Sequence, residues 1–106
     1  MTVPPRGVRH EEELAQQINA LKPYPFGVVN LRFKVDEDWT GEPSLFVRVT
    51  LSDEAAAEPG FYENTRNFSE YFDEKIEPIR KWDLFPFITF RSESEQEKLK
   101  DPNYGV

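Results

Sequence analysis

An α+β fold is what this 106-residue chain predicts: a two-layer sandwich of order α-β-β-α-β, its three-stranded sheet carrying helices on one face. Three observations lead there. The runs Val28 to Val35 and Leu45 to Leu51 alternate apolar and polar residues and are joined by turn-type residues. The segment from Phe61 to Glu77 repeats apolar residues at helical spacing. A third short apolar run, Phe85 to Arg91, follows it.

Each element has a local cause. Residues 1–9 contain two prolines and are expected to be a flexible lead to a single domain over 10–93. Glu11, Glu12 and Glu13 open a helix, since carboxylates in a first turn favour the helix dipole. Leu14, Ile18 and Leu21 form its apolar stripe, and Pro23 ends it by disfavouring helical geometry at Lys22. In the first strand Val29, Leu31, Phe33 and Val35 are expected inward, with Asn30, Arg32 and Lys34 outward. In the second, Leu45, Val47, Val49 and Leu51 point inward and Phe46, Arg48 and Thr50 outward. The long helix buries Phe61, Thr65, Phe68, Phe72, Ile76 and Ile79. Pro78 lacks an amide hydrogen and is expected to kink or restart the helix, which is over by Asp83. Pro86 places the last strand at a strand start or sheet edge. Its neighbour, strand one or strand two, is left open. If its connection is a parallel crossover, the crossover is right-handed. Residues 94–106 are polar and expected to be a mobile tail.

Composition narrows the function classes. Nine Phe, four Tyr and two Trp separate the chain from disordered acidic segments, despite a formal charge of −7. The absence of Cys removes disulfides, thiol nucleophiles and thiolate metal sites, and suits a reducing compartment. No apolar run is long enough for a signal-peptide core or a membrane span, so a cytoplasmic protein without membrane contact is expected. The charge is uneven: +2 over residues 1–35, −7 over 36–63 and −2 over 64–106.

That central acidity collects in Asp36-Glu37-Asp38-Trp39-Thr40-Gly41-Glu42-Pro43, the loop between the alternating strands. Turning the chain needs neither four carboxylates nor a Trp. Trp carries binding energy at interfaces more often than most residues, and carboxylates around it would form a polar rim. Trp39, Asp36, Glu37, Asp38 and Glu42 are therefore the candidate contact with one protein partner that has a basic surface. Folding of Trp39 back over the hairpin is the structural alternative. As a calcium loop the segment fails, because Val47 stands where the closing Glu would be needed. Asp36-x-Asp38-x-Thr40 also resembles the nucleophile motif of haloacid-dehalogenase-type phosphatases, whose larger parallel core does not fit a chain that returns as a second strand so soon.

The outward residues of the strands give a second candidate, a nucleic-acid or anion surface made by Arg32, Lys34, Phe46 and Arg48. Solvation of an ordinary strand face explains the same residues. Little else points to chemistry. His10 is the one histidine and lacks triad partners, and the glycines form no phosphate-binding loop. No catalytic residue, metal site or cofactor is expected.

The order α-β-β-α-β, followed by Pro86-Phe87-Ile88-Thr89-Phe90-Arg91 and an acidic Ser/Glu tail, resembles a type II KH-type domain of the ribosome-binding factor A family. The resemblance covers residues 10–95 and implies RNA or ribosome contact. The chain departs from that pattern in its acidity, its lack of a Gly-x-x-Gly loop and its lack of a basic helix. The residues themselves give a small, non-enzymatic, bacterial-type interaction protein (an adaptor, inhibitor or antitoxin-like factor) as the leading expectation. RNA or ribosome association through the open sheet is the second.

Overall fold

A computed structural model describes residues 5–99; residues 1–4 and 100–106, assigned above to the lead and the tail, lie outside them. The elements are α1 (Arg6–Arg9), α2 (Glu11–Asn19), β1 (Val28–Glu37), β2 (Pro43–Leu51), α3 (Asp53–Ala56), α4 (Gly60–Ile76), α5 (Pro78–Trp82), β3 (Phe85–Ser92) and α6 (Glu93–Leu99). The α-β-β-α-β order is present, with short helices added at its joints.

The sheet order is β1-β2-β3. β1 and β2 form the expected antiparallel hairpin, and β3 lies beside β2 and parallel to it, which resolves the open pairing. Both strands of the hairpin reach further toward the loop than the alternation alone indicates. β1 runs on to Glu37 and β2 starts at Pro43, so only residues 38–42 remain as the loop.

Leu45, Val47, Val49 and Leu51 are fully buried, as their alternation predicts. They pack with Leu14 and Ile18 of α2 and with Phe68, Phe72 and Ile76 of α4 in one core. Strict alternation fails in β1. Val28 pairs with Leu51 and Asn30 with Thr50, so Val29 is an extra residue in a bulge. Val28 is buried and Val29 is 48% exposed, the reverse of the expectation for Val29.

The long helix keeps Phe68, Phe72 and Ile76 of its expected stripe buried, leaves Phe61 and Thr65 half-buried, and departs from it outright at its end. Glu77 adopts left-handed backbone (φ 51°), which ends α4, and Pro78 starts α5. The restart turns the next residues, so Pro78 and Trp82 are buried while Ile79, expected in the core, is 57% exposed. Glu77 accepts from Arg80 Nε at 2.6 Å and lies 3.1 Å from Lys81 Nζ, which holds its carboxyl below the usual carboxylate range.

Residues of the sequence-assigned lead form α1. Its Gly7 is buried where an added Cβ would meet Leu84 Cδ1 at 2.2 Å, so only glycine permits this approach without a shift. The Arg6 guanidinium lies 4.6 Å from the Trp82 ring centre, a cation–π contact joining α1 to α5. At the other end of the sheet, Ser94 donates through its backbone N–H and its hydroxyl to the Asp53 carboxylate, at 3.1 and 2.7 Å. These bonds tie α6 to α3 and keep Asp53 ionised below its ordinary range.

One buried polar atom stands out. The Tyr24 hydroxyl has no hydrogen-bond partner among the described residues, and its ring sits edge-on to Phe68 with centroids 6.3 Å apart. Burial raises its pKa. A hydroxyl buried without a partner costs about 1–3 kcal/mol. Tyr24→Phe is therefore expected to stabilise the fold by about 1 kcal/mol, read as a higher urea midpoint at unchanged slope. A lower midpoint would show that the hydroxyl is satisfied.

Candidate partner-binding cleft

The loop that carries Trp39 is shaped by one carboxylate. Asp38 Oδ1 accepts from the Thr40 N–H at 2.8 Å, the Thr40 hydroxyl at 2.7 Å and the Glu42 N–H at 3.1 Å. Backbone bonds from Asp38 N–H to the Glu42 carbonyl and from Gly41 N–H to the Asp38 carbonyl close the turn. Gly41 has φ 85°, a left-handed conformation that glycine adopts without strain. These bonds to the ionised carboxylate, the Thr40 hydroxyl foremost, lower the Asp38 pKa.

Asp38 is thus a structural acceptor that fixes the tip. Its folded-state pKa is depressed, so its contribution is present above the ordinary aspartate pKa and is lost as pH falls through the lower folded value. The Thr40 and Glu42 amide resonances are expected to hold steady down through the ordinary aspartate range and to move only at more acidic pH. In Asp38→Ala the same resonances should lose dispersion at neutral pH.

Trp39 at the tip is 82% exposed. One edge of the ring system leans on Phe87 of β3, with centroids 5.6 Å apart and planes at 58°. Both the interface and the fold-back expectation contain part of this arrangement, because the ring touches the sheet yet keeps most of its surface open. Phe87 also stacks on Phe46 (5.3 Å, 16°) and contacts Phe85 (5.1 Å). The parallel register places Ser44 beside Phe85 and Phe46 beside Phe87, which sets these rings in one row on the outer face.

Between this row and the α5–β3 junction lies a cleft of about 530 Å³. Trp39, Pro43, Ile79, Leu84, Phe85 and Phe87 line it, with Asp38, Glu42 and Asp83 at its edge. Ile79 and Phe85 are 57% and 55% exposed. Of the sequence-derived contact residues, the structure brings Trp39, Asp38 and Glu42 together here. Asp36 and Glu37 do not line the cleft. They are strand residues paired with Ser44 and Pro43, and alternation sends them to opposite faces. Asp36 Oδ1 accepts from the Glu37 N–H at 2.8 Å. Local sequence pattern does not place Ile79, Asp83, Phe85 and Phe87 in the site. The parity of Phe85 and Phe87 with the outward Thr89 and Arg91 was the available signal.

The second candidate surface is also assembled. Arg32 lies opposite Arg48 in register, with Lys34 opposite Phe46 in the neighbouring pair. Phe46 is flanked by Phe87 from β3 and by Lys34 from β1, whose Nζ lies 5.6 Å from its ring centre. A base stacking on Phe46 would have to displace one of them. Arg48 Nε donates to the Thr89 hydroxyl at 2.7 Å. The lower end of this face, near Asn30 and Thr50, is met by α6, whose Gln96 accepts from Arg91 at 3.3 Å.

His10 joins α1 to α2, with Nδ1 3.8 Å from the Glu13 carboxylate. Among the described residues no group of three His, Asp or Glu side chains is placed to hold a metal, and no helix is long and apolar enough to cross a membrane. No family model, no curated protein and no solved structure matches this chain.

Proposed function

We propose that the chain is a small non-enzymatic interaction module (an adaptor, inhibitor or antitoxin-like factor) that binds one partner protein with a basic surface through its Trp39 hairpin. The supporting observation is the cleft itself: Trp39, Ile79 and Phe85 expose apolar surface side by side beneath acidic side chains. Contiguous apolar surface of this kind marks interaction sites on proteins that are otherwise polar outside. The three carboxylates whose pKa values are shifted, Asp38, Asp53 and Glu77, are all lowered by hydrogen bonds and act as structural acceptors, which suits a role without acid–base chemistry. A cytoplasmic setting fits the lack of cysteine.

The second reading is an anion or RNA surface on the outer face. The register supports it, since it sets Arg32 and Lys34 of β1 beside Phe46 and Arg48 of β2 on one face. One experiment separates the two. The tagged chain, Trp39→Ala, and Arg32→Glu with Arg48→Glu are used for native capture from host lysate, with and without RNase. A stoichiometric protein that survives RNase and is lost in Trp39→Ala supports the module. RNA or ribosomal protein lost with RNase and with the double Arg variant, but retained by Trp39→Ala, replaces it with the second reading.

A further inference from the structure

We infer that the cleft accepts a short segment of the partner protein in which one aliphatic or aromatic side chain is flanked by lysines or arginines. This rests on the cleft being the contact, and it adds the chemistry of the occupant. The apolar anchor follows from the walls. Trp39, Ile79 and Phe85 offer exposed apolar surface to it, and the buried Leu84 and half-buried Pro43 complete its lining, in a space of the size that ligand pockets span and roomy enough for an apolar side chain with its flanking segment.

The basic flanks follow from the rim. Asp38 is committed to the loop, but the carboxylates of Glu42 and Asp83 make no hydrogen bond or ion pair among the described residues. They come from separate elements, Glu42 from the hairpin and Asp83 from the end of α5, so cations flanking an anchor would each have a carboxylate to meet. Nearby Arg80 and Lys81 are turned to Glu77, which leaves the rim acidic.

Backbone conformation supports a site that is held ready. α5 is bracketed by two non-glycine residues in left-handed backbone, Glu77 at φ 51° and Asp83 at φ 57°. Such conformations are costly and persist where the surrounding structure enforces them, often at functional positions. Here they hold Ile79 out of the core and Asp83 on the rim. A second copy of this chain is a poorer occupant, because each copy carries a formal charge of −7 and would meet an acidic rim.

The test selects a random peptide library displayed on phage against the immobilised full chain, with counter-selection on Trp39→Ala. The expected winners share one large apolar residue with Lys or Arg on both sides. In solution, changing their Lys or Arg to Glu should weaken binding at least about tenfold, as should Ile79→Ser in the protein. Glu42→Lys with Asp83→Lys should invert the preference toward Glu-flanked peptides. Winners without basic flanks, or binding unaffected by Ile79→Ser, would overturn the inference while leaving Trp39 as the contact. No enriched peptide would overturn it too, even if lysate capture still depends on Trp39. Self-association of the chain that is abolished by Trp39→Ala would make a second copy the occupant, and the inference would again fall. The module reading fails separately, if the captured partner ignores Trp39→Ala.

Discussion

Phe68→Ala is expected to remove about 3–5 kcal/mol of folding stability, the range for truncating a buried aromatic. Phe68 is fully buried on α4 and is the meeting point of several rings. Its centroid lies 6.3 Å from Tyr24, 5.9 Å from Tyr71, 6.3 Å from Phe72 and 6.4 Å from Phe90. These neighbours come from the turn before β1, from α4 itself and from β3. The cavity would therefore open between three parts of the chain, and close packing leaves little freedom to collapse it. Domains of this size are stable by about 5–15 kcal/mol, so the variant should stand near the edge of folding. Tyr62→Ala on the exposed side of the same helix should change stability by no more than about 0.5 kcal/mol. Urea titration of both variants checks the contrast. A loss below about 1 kcal/mol at Phe68 would mean that α4 does not present this face to the sheet.

Why the hairpin and the core helix were legible, while the cleft was only half so, has a physical explanation. Alternation in β2 reports a strand with one buried face, and all four of its inward residues are buried. Pro78 cannot continue a helix, and α5 indeed starts there. The bulge at Val29 carries no glycine to announce it, so a period-two pattern reads through it and assigns the wrong valine inward. Ile79 continues the apolar spacing of α4 and so reads as core. A single left-handed residue, Glu77, redirects it, and Glu is not a residue type that signals such backbone. Trp39, Asp38 and Glu42 are close in sequence and were found together. Phe85, Phe87, Ile79 and Asp83 reach them only because β3 pairs in parallel with β2, a long-range choice that local pattern does not encode.

Trp39→Ala is expected to weaken the partner complex by at least about 2 kcal/mol, the mark of a residue that anchors an interface. The same change should alter folding stability by no more than about 0.5 kcal/mol, as for exposed positions generally. The separation follows from how the tip is built. The loop is shaped by Asp38, by two backbone bonds and by Gly41, none of which involves the indole. The ring itself touches Phe87 and otherwise faces solvent. Truncation thus removes contact area and leaves the scaffold that presents it. Asp38→Ala should also weaken the complex although the Trp is retained, because the ring would no longer be held in place. Calorimetric titration against the captured partner, beside urea titration of each variant, distinguishes these cases. Unchanged affinity in Trp39→Ala would remove the hairpin from the interface. A matching loss of stability would instead make Trp39 a lid on the sheet edge, and its exposure would then have no bearing on a partner.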